Sequence, residues 1–163
     1  MPSNDLVKTK LAPKTQTPSR LHNILRPLLI MAVAIVVLAS VSLLTKHQGS
    51  RILVVNDHRY RLTVADTNRL RAKGLGNQST MDNAQGMLFT FPASQNLCFW
   101  MKDMRFSLDM VWLDDSQRIV KIEQNVSPRT YPKTYCASGQ YVIELNAGQA
   151  KAAGLRAGQQ LHF

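Results

Sequence analysis

Hydrophobic and polar positions divide the chain into three regimes. The longest apolar run is "PLLIMAVAIVVLASVSLLT", in which no residue from Leu28 to Leu44 is charged and only Ser40 and Ser42 are polar. A helix satisfies those hydroxyls by bonding them back to its own carbonyls. These 17 residues rise roughly 25 Å at about 1.5 Å per residue, and adding Pro27 and Thr45 brings the run to bilayer-spanning length. Core helices keep a polar stripe that this run lacks, so the pattern predicts one transmembrane helix over 28–45.

Before it lies a polar tail, 1–27, rich in Pro, Thr, Ser and Lys. That composition buries too little apolar surface to offset the entropy of ordering, and predicts disorder. Lys8, Lys10, Lys14, Arg20 and Arg26 stand against Asp5 alone, a net +4. By the positive-inside bias this tail stays in the cytoplasm, and everything after a short linker, 46–50, is exported. Val37 and Ala39 before Ser40 would suit a signal peptidase, but the long basic region and long apolar core favour an uncleaved signal anchor.

From Arg51 to Phe163 the pattern shifts to short, strand-like periods. "RILVV" and "YRLTVA" flank the turn Asn56-Asp57-His58 and form a hairpin. Asp66 caps a short helix over "TNRLRAKGL", with Leu70 and Leu75 facing the core and Gly74 or Gly76 ending it. "GMLFTF" is a strand stopped by Pro92; "NLCFWMK" and "LDMVWLD" are two more, joined by Asp103 to Ser107. "RIVKIEQNV" and "QYVIEL" are separated by a loop, "SPRTYPKTYCASG". "NAGQAKAAGL" is a helical turn, and "GQQLHF" closes the chain as a strand. Seven or eight strands with two short helices make an α+β domain, mostly antiparallel β. A small, partly closed barrel would remove its exposed edges.

Charge and cysteines refine this. The net +10 leaves +6 beyond the tail, dispersed among strands and not clustered with exposed aromatics, which argues against nucleic acid as a partner. Both cysteines of the chain, Cys98 and Cys136, fall in the exported part, where an oxidising compartment favours a disulfide. His47, His58 and His162 are not spaced with other ligands for a metal, no glycine loop fits a phosphate cofactor, and no nucleophile elbow is present. No cofactor is expected.

The segment "CFWMKDMRFSLDMVWLDD" sets charges between apolar strands. Alternation puts Cys98, Trp100 and Lys102 on one face, and Asp109 on the same side as Val111 and Leu113. A carboxylate in an apolar row must find a cation or several donors. It is therefore either an acid or ion-paired anchor in a ligand cleft or a brace that pins the Asp103 to Ser107 turn through backbone bonds. Trp100, Lys102, Asp103, Arg105 and Asp109 are the candidate binding residues. Trp100, Trp112, Tyr131 and Tyr135 offer a sugar-binding surface, although aromatics at strand spacing usually belong to a core.

"GMLFTF", "CFWMKDMRFSLDMVWLD", "RIVKI" and "YVIELNAG…AAGLRAGQQLHF", in this order, resemble the bacterial and archaeal domain of unknown function 192 family, uncharacterised protein family 0127. The resemblance runs from about Arg69 to Phe163. Phe99-Trp100-Met101-Lys102, Leu108-Asp109 and Glu144-Leu145-Asn146-Ala147-Gly148 carry most of it, and Asn146 joins the candidate residues. Where the family usually has Asn-Thr after the Lys, this chain has Asp103-Met104. Exported members often have cysteines at the positions of Cys98 and Cys136. The resemblance implies a compact, mostly β domain and no assigned reaction.

The resulting expectation is a single-pass protein of the bacterial inner membrane with a periplasmic or extracellular domain. That domain is a non-enzymatic envelope module binding a small ligand, glycan or protein partner, with the lipid bilayer as partner through 28–45. Two alternatives are a hydrolase using Asp103 and Asp109 as an acid/base pair and a structural subunit of a membrane complex.

Overall fold

The computed structural model describes residues 27, 29–36 and 48–163. The chain divides into two units, 1–46 and 47–163. In the first, residues 29–36 are helical. Among the described residues no helix is long and apolar enough to cross a membrane. The rest of the predicted span 28–45, and the predicted tail up to residue 26, lie outside them.

The second unit is built on six strands: β1 (Ser50–Val55), β2 (His58–Ala65), β3 (Gln85–Trp100), β4 (Leu108–Leu113), β5 (Ile119–Val126) and β6 (Thr134–Asn146). They form one sheet in the order β1-β2-β3-β6-β4-β5. β1 and β2 are the expected hairpin, with Asn56 at its turn in the left-handed region, φ 50°, which short polar side chains tolerate. Helix α1 (Asn68–Lys73) follows β2, capped by the Thr67 hydroxyl and not by Asp66. It carries the chain back so that β3 pairs with β2 in parallel, as a helical crossover requires. Every other pairing is antiparallel.

The expected partly closed barrel is not formed. β1 and β5 are the two edges of an open sheet, and the strand count is six, below the expected seven or eight. Two predicted strands are one: β3 runs through Pro92 as 16 residues, and the ladder to β6 shifts register between Thr90 and Gln95. An irregularity there absorbs the missing proline donor while the strand continues beside the same neighbour. Much of the predicted loop "SPRTYPKTYCASG" is strand, because β6 begins at Thr134. Only a 3₁₀ turn, Pro128–Thr130, interrupts the path from β5. "GQQLHF" contributes just one bridge, Gln160 to Arg118.

Both faces of the sheet are covered. On one, Leu53, Leu62, Val111 and Ile143 pack under Ala150 and Ala153 of helix α2 (Gln149–Ala152) and its continuation, together with Leu155 and Leu161. On the other, Met87, Phe89, Met110 and Trp112 pack beneath Leu75 and the Met101 to Phe106 loop. β4 is buried at all six positions for this reason. Backbones approach closely in the centre: a Cβ added to Gly86 would lie 2.7 Å from the Glu144 carbonyl oxygen.

Cys98 and Cys136 form a disulfide between directly opposed positions of β3 and β6, 38 residues apart in sequence. The bridge ties two adjacent strands of the sheet.

Candidate functional site

The fold positions the predicted residues in four different places. Asp109 is fully buried on the α2 face, beside Val111 and Leu113 as the alternation requires. Its Oδ1 accepts from the Asn125 backbone N–H and its Oδ2 from that of Ala150, both at 2.8 Å. One carboxylate thus holds the left-handed Asn125, φ 53°, and the first turn of α2. Both oxygens are engaged by backbone, so this is a brace. It pins β5 and α2, and not the Asp103 to Ser107 turn.

Asp103 sits in the exposed loop after β3, at φ 58°. The left-handed region favours Asn and Asp, which accounts for the residue type there. Its carbonyl accepts from Asn77 at 2.8 Å. Arg105 is exposed in the same loop. Asn146 donates to the Met81 carbonyl and to Asn83 Oδ1, holding the loop before β3. The Asp103/Asp109 pair of the hydrolase alternative is therefore not assembled, since Asp109 lies on the α2 face and its oxygens are occupied. Of the proposed sugar-binding aromatics, Trp112 is core, its indole N–H bonded to the Leu97 carbonyl at 3.0 Å, and Tyr135 is buried. Trp100 and Tyr131 are exposed and meet edge-on, 6.3 Å between centroids.

Trp100 and Lys102 do share a site. Between α1 with its glycine turn and the outer half of β3 lies a cleft of about 420 Å³, in the range of small-ligand sites. Phe91, Phe99 and Trp100 offer it aromatic surface, with the buried Phe89 behind them. Arg71, Lys73 and Lys102 also line it. Arg71 is locked in place: it donates to the carbonyls of Asp66 and Thr90 and stacks over Phe91, 4.9 Å from the ring centre. Among the described residues the sole ion pair is Lys121 with Glu123, so Lys73 and Lys102 keep their charges unpaired.

Glu144 also lines the cleft, and the residue-by-residue reading passed over it. It lies on central strand β6, between Met87 of β3 and Met110 of β4, and is only 5% exposed. Its side chain makes no hydrogen bond among the described residues, yet no polar side-chain atom there is both sealed off and unpartnered. Its carboxyl therefore faces the cleft. Desolvation in these apolar surroundings pushes its pKa up to about 8, so at neutral pH it is mainly the uncharged acid, able both to donate and to accept. A glutamate inside "YVIEL", on the row of Val142, was the available signal.

The domain of unknown function 192 family, described as "Uncharacterized ACR", matches residues 51–163. This chain belongs to that family. Among solved structures, it is similar to a proposed transcription regulator from Sinorhizobium meliloti 1021, with TM-score 0.65 and 28% identity, covering 69% of this chain and 92% of that one. It is also similar in fold to a protein of unknown function from Novosphingobium aromaticivorans DSM 12444, with TM-score 0.67 and 23% identity, covering 73% and 89%. No curated protein matches.

Proposed function

We propose that this protein is a membrane-anchored, exported and non-enzymatic module that binds a small ligand in the Glu144 cleft. The observation that carries the reading is Glu144 itself. A carboxyl buried on a central strand with no protein partner is costly, and a ligand hydrogen-bonding to it offsets that cost. Aromatic walls supply apolar contact, and the two unpaired lysines supply charge. The apolar run 28–45 behind a basic tail and the disulfide support anchoring in a bacterial inner membrane with the domain outside the cytosol.

Binding is tested on the full chain in detergent with a panel of sugars, organic acids and amines, read by Trp fluorescence and calorimetry. A hit that Glu144→Leu abolishes, without loss of the folded state, supports the reading; a folded protein that binds nothing in the panel defeats it. For the location, alkaline phosphatase fused after Phe163 should be active and β-galactosidase inactive. The opposite pair of results rejects export.

A further inference from the structure

We propose that the cleft takes an acidic sugar, its carboxylate held by Lys73 and Lys102, its ring against the aromatic wall, and a hydroxyl received by Glu144. This rests on the small-ligand reading and names its ligand class. Three observations converge on it. First, the free charges on the lining are both positive: Lys73 comes from α1 and Lys102 from the loop after β3, neither with a carboxylate partner among the described residues. A cationic ligand would meet two like charges there, whereas an anion gains charge-assisted bonds.

Second, the wall is aromatic. Phe91 and Phe99 are half-buried at the cleft and Trp100 is 55% exposed beside them, with the buried Phe89 backing Phe99 edge-on at 4.8 Å between centroids. Flat aromatic faces suit the apolar C–H face of a pyranose as well as they suit an aromatic ring. Third, the remaining groups are suited to hydroxyls. Glu144 offers an unpartnered carboxyl, and Gln95 and Asn96 are exposed on β3 at the same cleft. An aromatic acid would leave the Glu144 carboxyl unmatched; a polyhydroxylated ring does not.

The test compares glucuronate, glucose, glucosamine and benzoate binding to the full chain in detergent, by calorimetry. Glucuronate should bind at least about tenfold more tightly than glucose, as one or two charge-assisted bonds imply, with glucosamine weakest and benzoate below glucuronate. The double variant K73A/K102A should bring glucuronate down to the level of glucose. Glu144→Leu should weaken both sugars, while Glu144→Gln, which keeps a donor and an acceptor, should retain them.

Equal binding of glucuronate and glucose, with both lost in Glu144→Leu, overturns the acidic class and leaves the small-ligand reading standing. Tighter benzoate than glucuronate overturns the sugar. Absence of binding by all four probes to protein with the wild-type melting curve overturns the inference; the wider panel then decides whether the small-ligand reading falls with it.

Discussion

Two buried carboxylates, one on each face of the same sheet, behave in opposite ways because of their neighbours. Asp109 has a backbone N–H at each oxygen. Asp109→Asn keeps one acceptor and turns an amide N–H₂ toward the other backbone donor, so it should cost roughly 2–3 kcal/mol in urea denaturation. A ligand-contacting role would instead reduce binding at unchanged stability. Glu144 has no such donors, and its pKa rises from 4.5 to about 8. Between those values the folded chain holds a proton that the unfolded chain has released. Its contribution is thus complete below about pH 4.5 and is lost as pH climbs to about 8. At about 1.36 kcal/mol per unit the loss is on the order of 5 kcal/mol. Glu144→Gln should remove this component, so the variant should gain on wild type steadily from pH 5 to pH 8 in paired denaturation curves.

At the scale of elements, the disulfide joins β3 to β6 beyond the register shift at Thr90/Gln95. The outer part of β3 carries Gln95 to Trp100 of the cleft wall, whereas Phe89 and Phe91 precede Gln95. Closing a loop of 38 residues contributes about 4 kcal/mol on the chain-entropy account. Replacing both cysteines by serine should therefore lower the melting temperature markedly. Hydrogen exchange should then rise first at Gln95–Trp100 and Thr134–Gly139, while β4 keeps its protection. Uniform loss of protection across all six strands would contradict this division. These elements were unevenly legible. A short helix over 67–75 is expected between two strands, the arrangement that makes those strands parallel; β2 and β3 are the one parallel pair in a sheet otherwise antiparallel, as expected. Pro92 looked like a strand end, but a register irregularity let one long strand continue.

For the molecule as a whole, both apolar clusters are drawn from residues between Leu53 and Phe163. A chain beginning at Gln48 should therefore fold by itself, with a single cooperative melt by circular dichroism and strand signal equal to that of the same domain in the longer chain. Multiphasic or absent melting would show that the first unit is needed. The family relation covers this same region, 51–163, and two solved structures share its fold.

Local chemistry alone determined the apolar run near the start, the hairpin at Asn56, the short helix after β2, the alternation that placed Asp109 beside Val111 and Leu113, and the family. The elements depend on spacing within a few residues and the family on short motifs in a fixed order, both of which the chain carries explicitly. The Cys98–Cys136 bridge was legible too, since these are the chain's two cysteines; the open sheet, the cross-strand position of that bridge and the fate of each charged side chain were decided by which segments met. "YVIEL" reads as one strand with a glutamate in it; only the placement of β6 between β3 and β4, with a cleft above one face, isolates that carboxyl from protein donors. Burial and hydrogen bonding belong to pairs of segments far apart in sequence, so of two buried carboxyls Asp109 became a brace and Glu144 was left without a protein donor.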